Sequence, residues 1–240
     1  MIRIRKQADP PAVLVTRGPA AIGKRDADGK LVFNKEIYRH NEVKTALIAS
    51  HRGKCCFCEQ IVQEDGDVEH FRPKSHYYWL AYDWANLLWA CSPCNSRHKR
   101  SLFPLRDESC RATSPYDTDL EEPLFINPTE EDPEDLIEWR SEFPVPRPGP
   151  DSAKAKETLR ALRLDKRGLL ETRRQRLSEL EAQMDSFKIA LDRGYSDLVP
   201  LIAEALVSFQ REDRPFTAMM RWRLRQRPDV LARLTILQRR

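Results

Sequence analysis

Two cysteine pairs carry the strongest chemical signal in the chain. Cys55-x-x-Cys58, in KCCFCE, and Cys91-x-x-Cys94, in ACSPCN, stand 32 residues apart. Each such loop points two thiolates at one point, and two loops complete a tetrahedral four-cysteine site. Zinc has no redox chemistry, so four thiolates close it off as a structural ion. Its binding is expected to contribute roughly 10 kcal/mol or more to folding. One CxxC could serve thiol exchange, but the second pair and the lack of a βαβ pattern argue against that use. Cys56 and Cys110 read as ordinary thiols.

Between and just beyond the knuckles lie a histidine and two asparagines. In DVEHFRPK, His70 follows Glu69 at the end of a predicted strand, with Arg72 and Lys74 after it. Asn86 precedes the apolar run Leu87–Ala90, and Asn95 directly follows the last knuckle cysteine, where a helix should begin. The order is strand with histidine, loop, asparagine, strand, knuckle, helix with asparagine. A neutral imidazole can serve as a general base, a role that typically contributes about 10²–10⁴-fold.

In that order the segment resembles an HNH endonuclease domain of the ββα-metal type, over the whole of 54–105. The stretches EHFRPKS, YYWLAYDWANLLWAC, CNSRHKRSLFPL, INP and TLRALRLDKRGLLETRR resemble the PtuB-like family, the HNH proteins of Septu-type and retron-associated anti-phage systems. The resemblance covers about 33–175. It implies His70 as general base, Glu69 with Asn95 as ligands of a catalytic Mg²⁺ or Mn²⁺, and Asn86 as the residue that orients the loop. It places Arg72, Lys74, Arg97 and Lys99 against phosphates, and it implies a PtuA-like ATPase as protein partner. HNH domains commonly carry Asp before the histidine, where this chain has Glu69. His98, one helical turn past Asn95, is the second candidate for the metal ligand.

The elements that must position these residues are legible in outline. Residues 1–32 read as irregular, and Asn34 can cap a helix running to about Ser50. Asp65-Gly66 signals a turn between β-like runs at 59–63 and 67–71. Residues 106–150 carry eight prolines, with short strands expected near Leu124–Ile126 and Leu136–Trp139 and a linker over FPVPRPGP (143–150). A helix is expected over 153–163. A longer one, from about 166 to 192, carries the stripe Leu170, Leu177, Leu180, Met184, Phe187 and Leu191. Shorter helices complete the chain. The aromatics Tyr77, Tyr78, Trp79, Tyr82 and Trp84 read as core.

The expected fold is α+β and predominantly helical. It comprises an N-terminal segment and helix (1–53), a zinc-stapled ββα module (54–105), an acidic connecting segment (106–150) and a basic helical region (151–240). Lys and Arg outnumber Asp and Glu by 17 to 11 over residues 1–100 and by 20 to 13 over 151–240, against 4 to 13 between them. Basic flanks suggest a polyanionic partner such as nucleic acid, with DNA favoured over RNA by analogy. No run of eighteen apolar residues occurs, and MIRIRKQADPP lacks the apolar core of a signal peptide, so a cytoplasmic chain is expected. The competing readings are a non-catalytic zinc module that binds nucleic acid or scaffolds a complex, and a nuclease toxin aimed at RNA, for example tRNA.

Overall fold

The computed structural model describes residues 1–165 and 168–238. The helices are α1 (Ala12–Arg17), α2 (Lys35–Tyr38), α3 (Asn41–Ser50), α4 (Pro133–Leu136), α5 (Ser152–Leu162), α6 (Leu169–Asp192), α7 (Leu198–Ser208), α8 (Thr217–Arg225) and α9 (Pro228–Gln238). The strands are β1 (Gly66–His70), β2 (Leu87–Cys91), β3 (Ile137–Arg140) and β4 (Phe143–Pro146). They form two separate antiparallel pairs, β1 with β2 and β3 with β4. The architecture is therefore α+β, rich in helix, with small sheets. A seven-residue helix, Pro93–Lys99, wound in the wide π form, follows β2.

The run LLWAC of β2 is buried at every position, because the strand lies between two cores and its side chains alternate between them. Leu87 and Trp89 join Val68 in the core built on α1, α2 and α3. Leu88 and Ala90 join Phe57, Phe103, Phe125 and the buried faces of α5 to α9. A strand with two buried faces loses the polar alternation of a half-exposed one.

Several expectations change. The helix from Asn34 breaks at Arg39. Asn34 caps α2 by accepting from the Glu36 N–H, while the His40 ring caps α3 by accepting from Glu42. The run 59–63 is not a strand, and β1 pairs with β2 instead. Glu59 at φ +61° and Gln63 at φ +25° leave the β region, and Gln63–Asp65 forms a short 3₁₀ turn. Residues 1–32, expected to be irregular, contain α1. No strand forms over 124–126; just before that stretch Pro123 makes an isolated bridge with Leu105.

FPVPRPGP is half strand. Pro144 faces Trp139 and Pro146 faces Ile137 in the ladder. These prolines alternate with Val145 and with Arg147, whose N–H donates to Leu136 O at 2.8 Å, so the missing amides fall at the non-bonded positions.

The helix expected from 166 begins at Leu169; Lys166 and Arg167 lie outside the described residues. Its buried face holds Leu180, Met184 and Phe187 as expected, and also Arg173. Gly194, at φ +69°, ends it. Arg221 and Arg225 pair with Glu134, and Arg223 pairs with Glu181, which ties α8 to α4 and α6.

Candidate metal centre and histidine cleft

The four knuckle cysteines converge. The sulfurs of Cys55, Cys58, Cys91 and Cys94 all lie within 4.8 Å of one another, and all four residues are buried. Cys58 Sγ and Cys91 Sγ are 3.7 Å apart, close to the roughly 3.8 Å edge that Zn–S bonds of about 2.3 Å impose on a tetrahedron. Thiol hydrogen bonds from its three neighbours lower the Cys91 pKa, while burial raises those of Cys55 and Cys94. A bound dication favours the thiolate at all four positions. The donor set and its burial therefore fit zinc. The backbone joins the two knuckles as well, with Cys56 N–H donating to Trp89 O on β2 at 2.9 Å.

β1 rises from this base with its outer edge covered by side chains. Val68 pairs with Trp89, whose own N–H and C=O turn the other way, to His51 Nε2 and Cys56. Val68 therefore offers its N–H and C=O outward. Asp67 Oδ1 accepts the N–H at 2.8 Å, and Asn95 Nδ2 donates to the C=O at 3.2 Å. Lys99 Nζ donates to His70 O at 2.9 Å. The π-wound helix thus docks on β1 through Asn95 and Lys99.

His70 and Glu69, as neighbours on a strand, point to opposite faces. The His70 ring packs edge-on against Tyr38 at 4.9 Å. Its Nε2 is 2.9 Å from Ala81 O. A carbonyl accepts only, so Nε2 carries the proton and Nδ1 keeps the lone pair. Burial, with help from the nearby Lys74 charge, holds its pKa down at about 3. The imidazole is neutral throughout the physiological range.

Asn86 holds the intervening loop closed. Its Oδ1 accepts from Arg72 N–H at 2.7 Å, while its Nδ2 donates to Arg72 O and Leu80 O at 3.0 and 3.1 Å. Ala81, which fixes the His70 tautomer, follows directly on Leu80.

Glu69 is buried and paired, with Oε1 2.6 Å from Lys99 Nζ. Burial raises its pKa and Lys99 opposes the rise. Lys99 therefore differs from the expectation of a phosphate contact: it is wholly buried. The physical reason is the winding of its helix. In an i→i+5 helix, residues four apart lie nearly above one another, so Lys99 follows Asn95 onto β1. The same winding turns His98 away: His98 and Arg97 line a different groove, bounded by β3, β4 and α5. Arg72 is also engaged, 3.0 Å from Glu121 and 5.2 Å from the Phe103 ring centre.

Asp67, Glu69, His70, Lys74 and Asn95 share the walls of one cleft of about 670 Å³. Asp67 is a residue that sequence reasoning missed. It sits two positions before Glu69 and so on the same strand face, and it pairs with Arg39. The signal was present in the i, i+2 spacing of DVE. Of the neighbouring aromatics, Tyr77, Tyr82 and Trp84 are buried, as a packing role requires.

The chain is 32% identical over 229 residues to Septu protein PtuB of Bacillus mycoides (strain KBAB4), an alignment that covers 84% of this chain and 74% of that one. The chain belongs to the PtuB family. Septu protein PtuB of Bacillus thuringiensis is also 32% identical, over 38% of this chain and 35% of its own. Protein ea31 of Escherichia phage lambda is 30% identical over 62% of this chain and 50% of its own. No family model matches. Among the described residues, no helix of this PtuB-family chain is long and apolar enough to cross a membrane.

Proposed function

We propose that the chain is a metal-dependent HNH endonuclease acting on nucleic-acid phosphodiester bonds, and the nuclease effector of a Septu-type anti-phage system that works with a PtuA-like ATPase. The observation that carries this reading is His70, a neutral imidazole with Nδ1 as its acceptor nitrogen, on a cleft whose walls also hold Asp67, Glu69 and Asn95.

Nδ1 takes the proton of the attacking water, and Ala81 O stabilises the cation that forms on the ring. At about 3 the imidazole is a weak base; a phosphate lying beside Lys74 raises it, because the negative charge favours the imidazolium. Asn86 keeps the ring aimed by holding the 72–80 loop. Lys74, half-buried over the Tyr38 and Phe33 rings at 5.3 and 5.8 Å, meets the phosphate from a cleft that Lys30, Lys35, Arg39 and Arg100 also line.

The oxygen donors of Glu69 and Asn95, with Asp67 beside them, suit Mg²⁺ or Mn²⁺. Such an ion supplies charge stabilisation to the phosphate and the leaving oxygen. Lys99 occupies one oxygen of Glu69 and leaves the other.

The Glu69–Lys99 pair is also what a non-catalytic zinc module would contain, each charge neutralising the other. A cleavage assay separates the two readings. The zinc-loaded chain, with and without its ATPase partner, is incubated with plasmid DNA and total tRNA in Mg²⁺ or Mn²⁺. Cleavage of either polymer, stronger with the partner present, supports the nuclease. Binding without cleavage in every condition favours the scaffold.

A further inference from the structure

The π-wound helix separates two cavities. Asn95 and Ser96 face the His70 cleft, whereas Arg97 faces a larger groove of about 910 Å³ between that helix, β3, β4 and α5. Arg97 from the π-wound helix, Arg140 from β3, and Lys156 and Arg163 from α5 and its end converge on it, and all four are exposed. Among the described residues none of the four is in an ion pair, in contrast with Arg160, which Glu157 holds. Asp165 is the acidic side chain of the lining. Phe143, 42% exposed, lies on the same wall.

Arg163 adds an observation of a different kind. It ends α5 in the left-handed region, at φ +51° and ψ +42°. Glycine is the usual residue there because it has no Cβ to strain the conformation. The strained position holds a guanidinium at the groove instead.

We infer that this groove binds a single strand of nucleic acid, with the four cations on its phosphates and Phe143 stacked under a base. Cations that track a backbone beside an aromatic platform are how proteins hold single strands. A duplex keeps its bases stacked on one another and offers the ring nothing. An acidic protein surface would use the cations but not Phe143. Binding as such stands alone; its placement next to the scissile phosphate rests on the nuclease reading, since one short helix carries both Asn95 and Arg97.

The test uses the zinc-loaded full chain, without added Mg²⁺, and fluorescein-labelled oligothymidylate, oligouridylate and a duplex, read by fluorescence anisotropy. Affinity for both single strands is expected to fall steeply with salt. Arg140→Glu with Lys156→Glu should weaken binding at least tenfold and reduce the slope of log K against log salt by about 1.4, since each single-strand phosphate contact contributes about 0.7. Phe143→Ala should weaken single-strand binding by about tenfold and spare the duplex. Arg163→Gly should keep or raise the melting temperature while lowering affinity, a combination that a structural role does not produce. Unchanged affinity and slope in the charge-reversed chain would overturn the proposal. So would polyglutamate that competes as well as oligothymidylate, which would assign the groove to an acidic protein. If the groove variants behave as expected and no condition yields cleavage, the nuclease reading falls and the groove stands. If the charge-reversed chain binds and cuts like the native one, the groove falls alone.

Discussion

Lys99 Nζ stands 2.6 Å from Glu69 Oε1, with the lysine wholly buried and the glutamate 2% exposed at the cleft wall. The helix that carries the last knuckle cysteine thereby neutralises a strand that lies between the knuckles. Removing one partner of a buried pair leaves the other charge uncompensated. Lys99→Met is therefore expected to destabilise the chain by about 3–5 kcal/mol, and Glu69→Gln in the same chain to recover much of the loss. Urea unfolding of the zinc-loaded single and double variants checks this. A Lys99→Met chain of native stability that merely binds nucleic acid less well would return Lys99 to the phosphate role.

The four-cysteine cluster predicts one zinc ion per chain. Cys58→Ser or Cys91→Ser should lose that ion and unfold the segment that carries β1 and β2, because metal binding and folding are one equilibrium here. Elemental analysis beside circular dichroism reads both. Cys110→Ser, at an exposed thiol outside the cluster, should keep zinc and fold.

Gly66 lies under the Trp89 indole. A Cβ at that position would stand 2.4 Å from the ring. Gly66→Ala is expected to cost about 1–3 kcal/mol by overpacking. Thermal melting measures it, and a neutral result would mean that Trp89 does not cover β1 in solution.

His51 gives the stability a defined pH dependence. Its Nδ1 is 2.8 Å from Leu47 O, and its Nε2 accepts from Trp89 N–H at 3.1 Å. Burial lowers its pKa from 6.5 to about 3. Between those values the unfolded chain binds a proton that the folded chain refuses. Stability therefore falls as pH drops below 6.5, by at most about 1.4 kcal/mol per pH unit from this group. Gln can supply a similar donor and acceptor without titrating. The urea midpoint of His51→Gln, in excess zinc, should depend less steeply on pH between 7 and 5 than that of the native chain, with pH 6.5 marking the onset. Parallel slopes would place a proton on His51 in the fold.

The sequence made the metal cluster, β2 and the long C-terminal helix legible for physical reasons. CxxC spacing is local geometry, LLWAC can only be buried, and the step of leucines down α6 is helical. The errors lie where tertiary context decides. Nothing local tells 59–63 that its residues must turn back toward Lys54, leaving β1 to pair with β2 across the 71–86 loop. The prolines of FPVPRPGP suggest a linker until their alternation is matched to the bonded positions of a hairpin. The candidate site residues could be picked out by type and order but not by direction. Lys99 and His98 could be assigned to a face only once the π winding of their helix was known.

The proposed role of His70 as the base of a nuclease stands or falls on one comparison. The most direct test compares cleavage of plasmid DNA and tRNA by the native chain and by His70→Ala, with the ATPase partner and Mg²⁺ or Mn²⁺ present and zinc content matched. The native chain is expected to cut, with a loss of at least about a hundredfold in the variant, the lower bound for a positioned base. Equal cutting by two zinc-replete chains would contradict it.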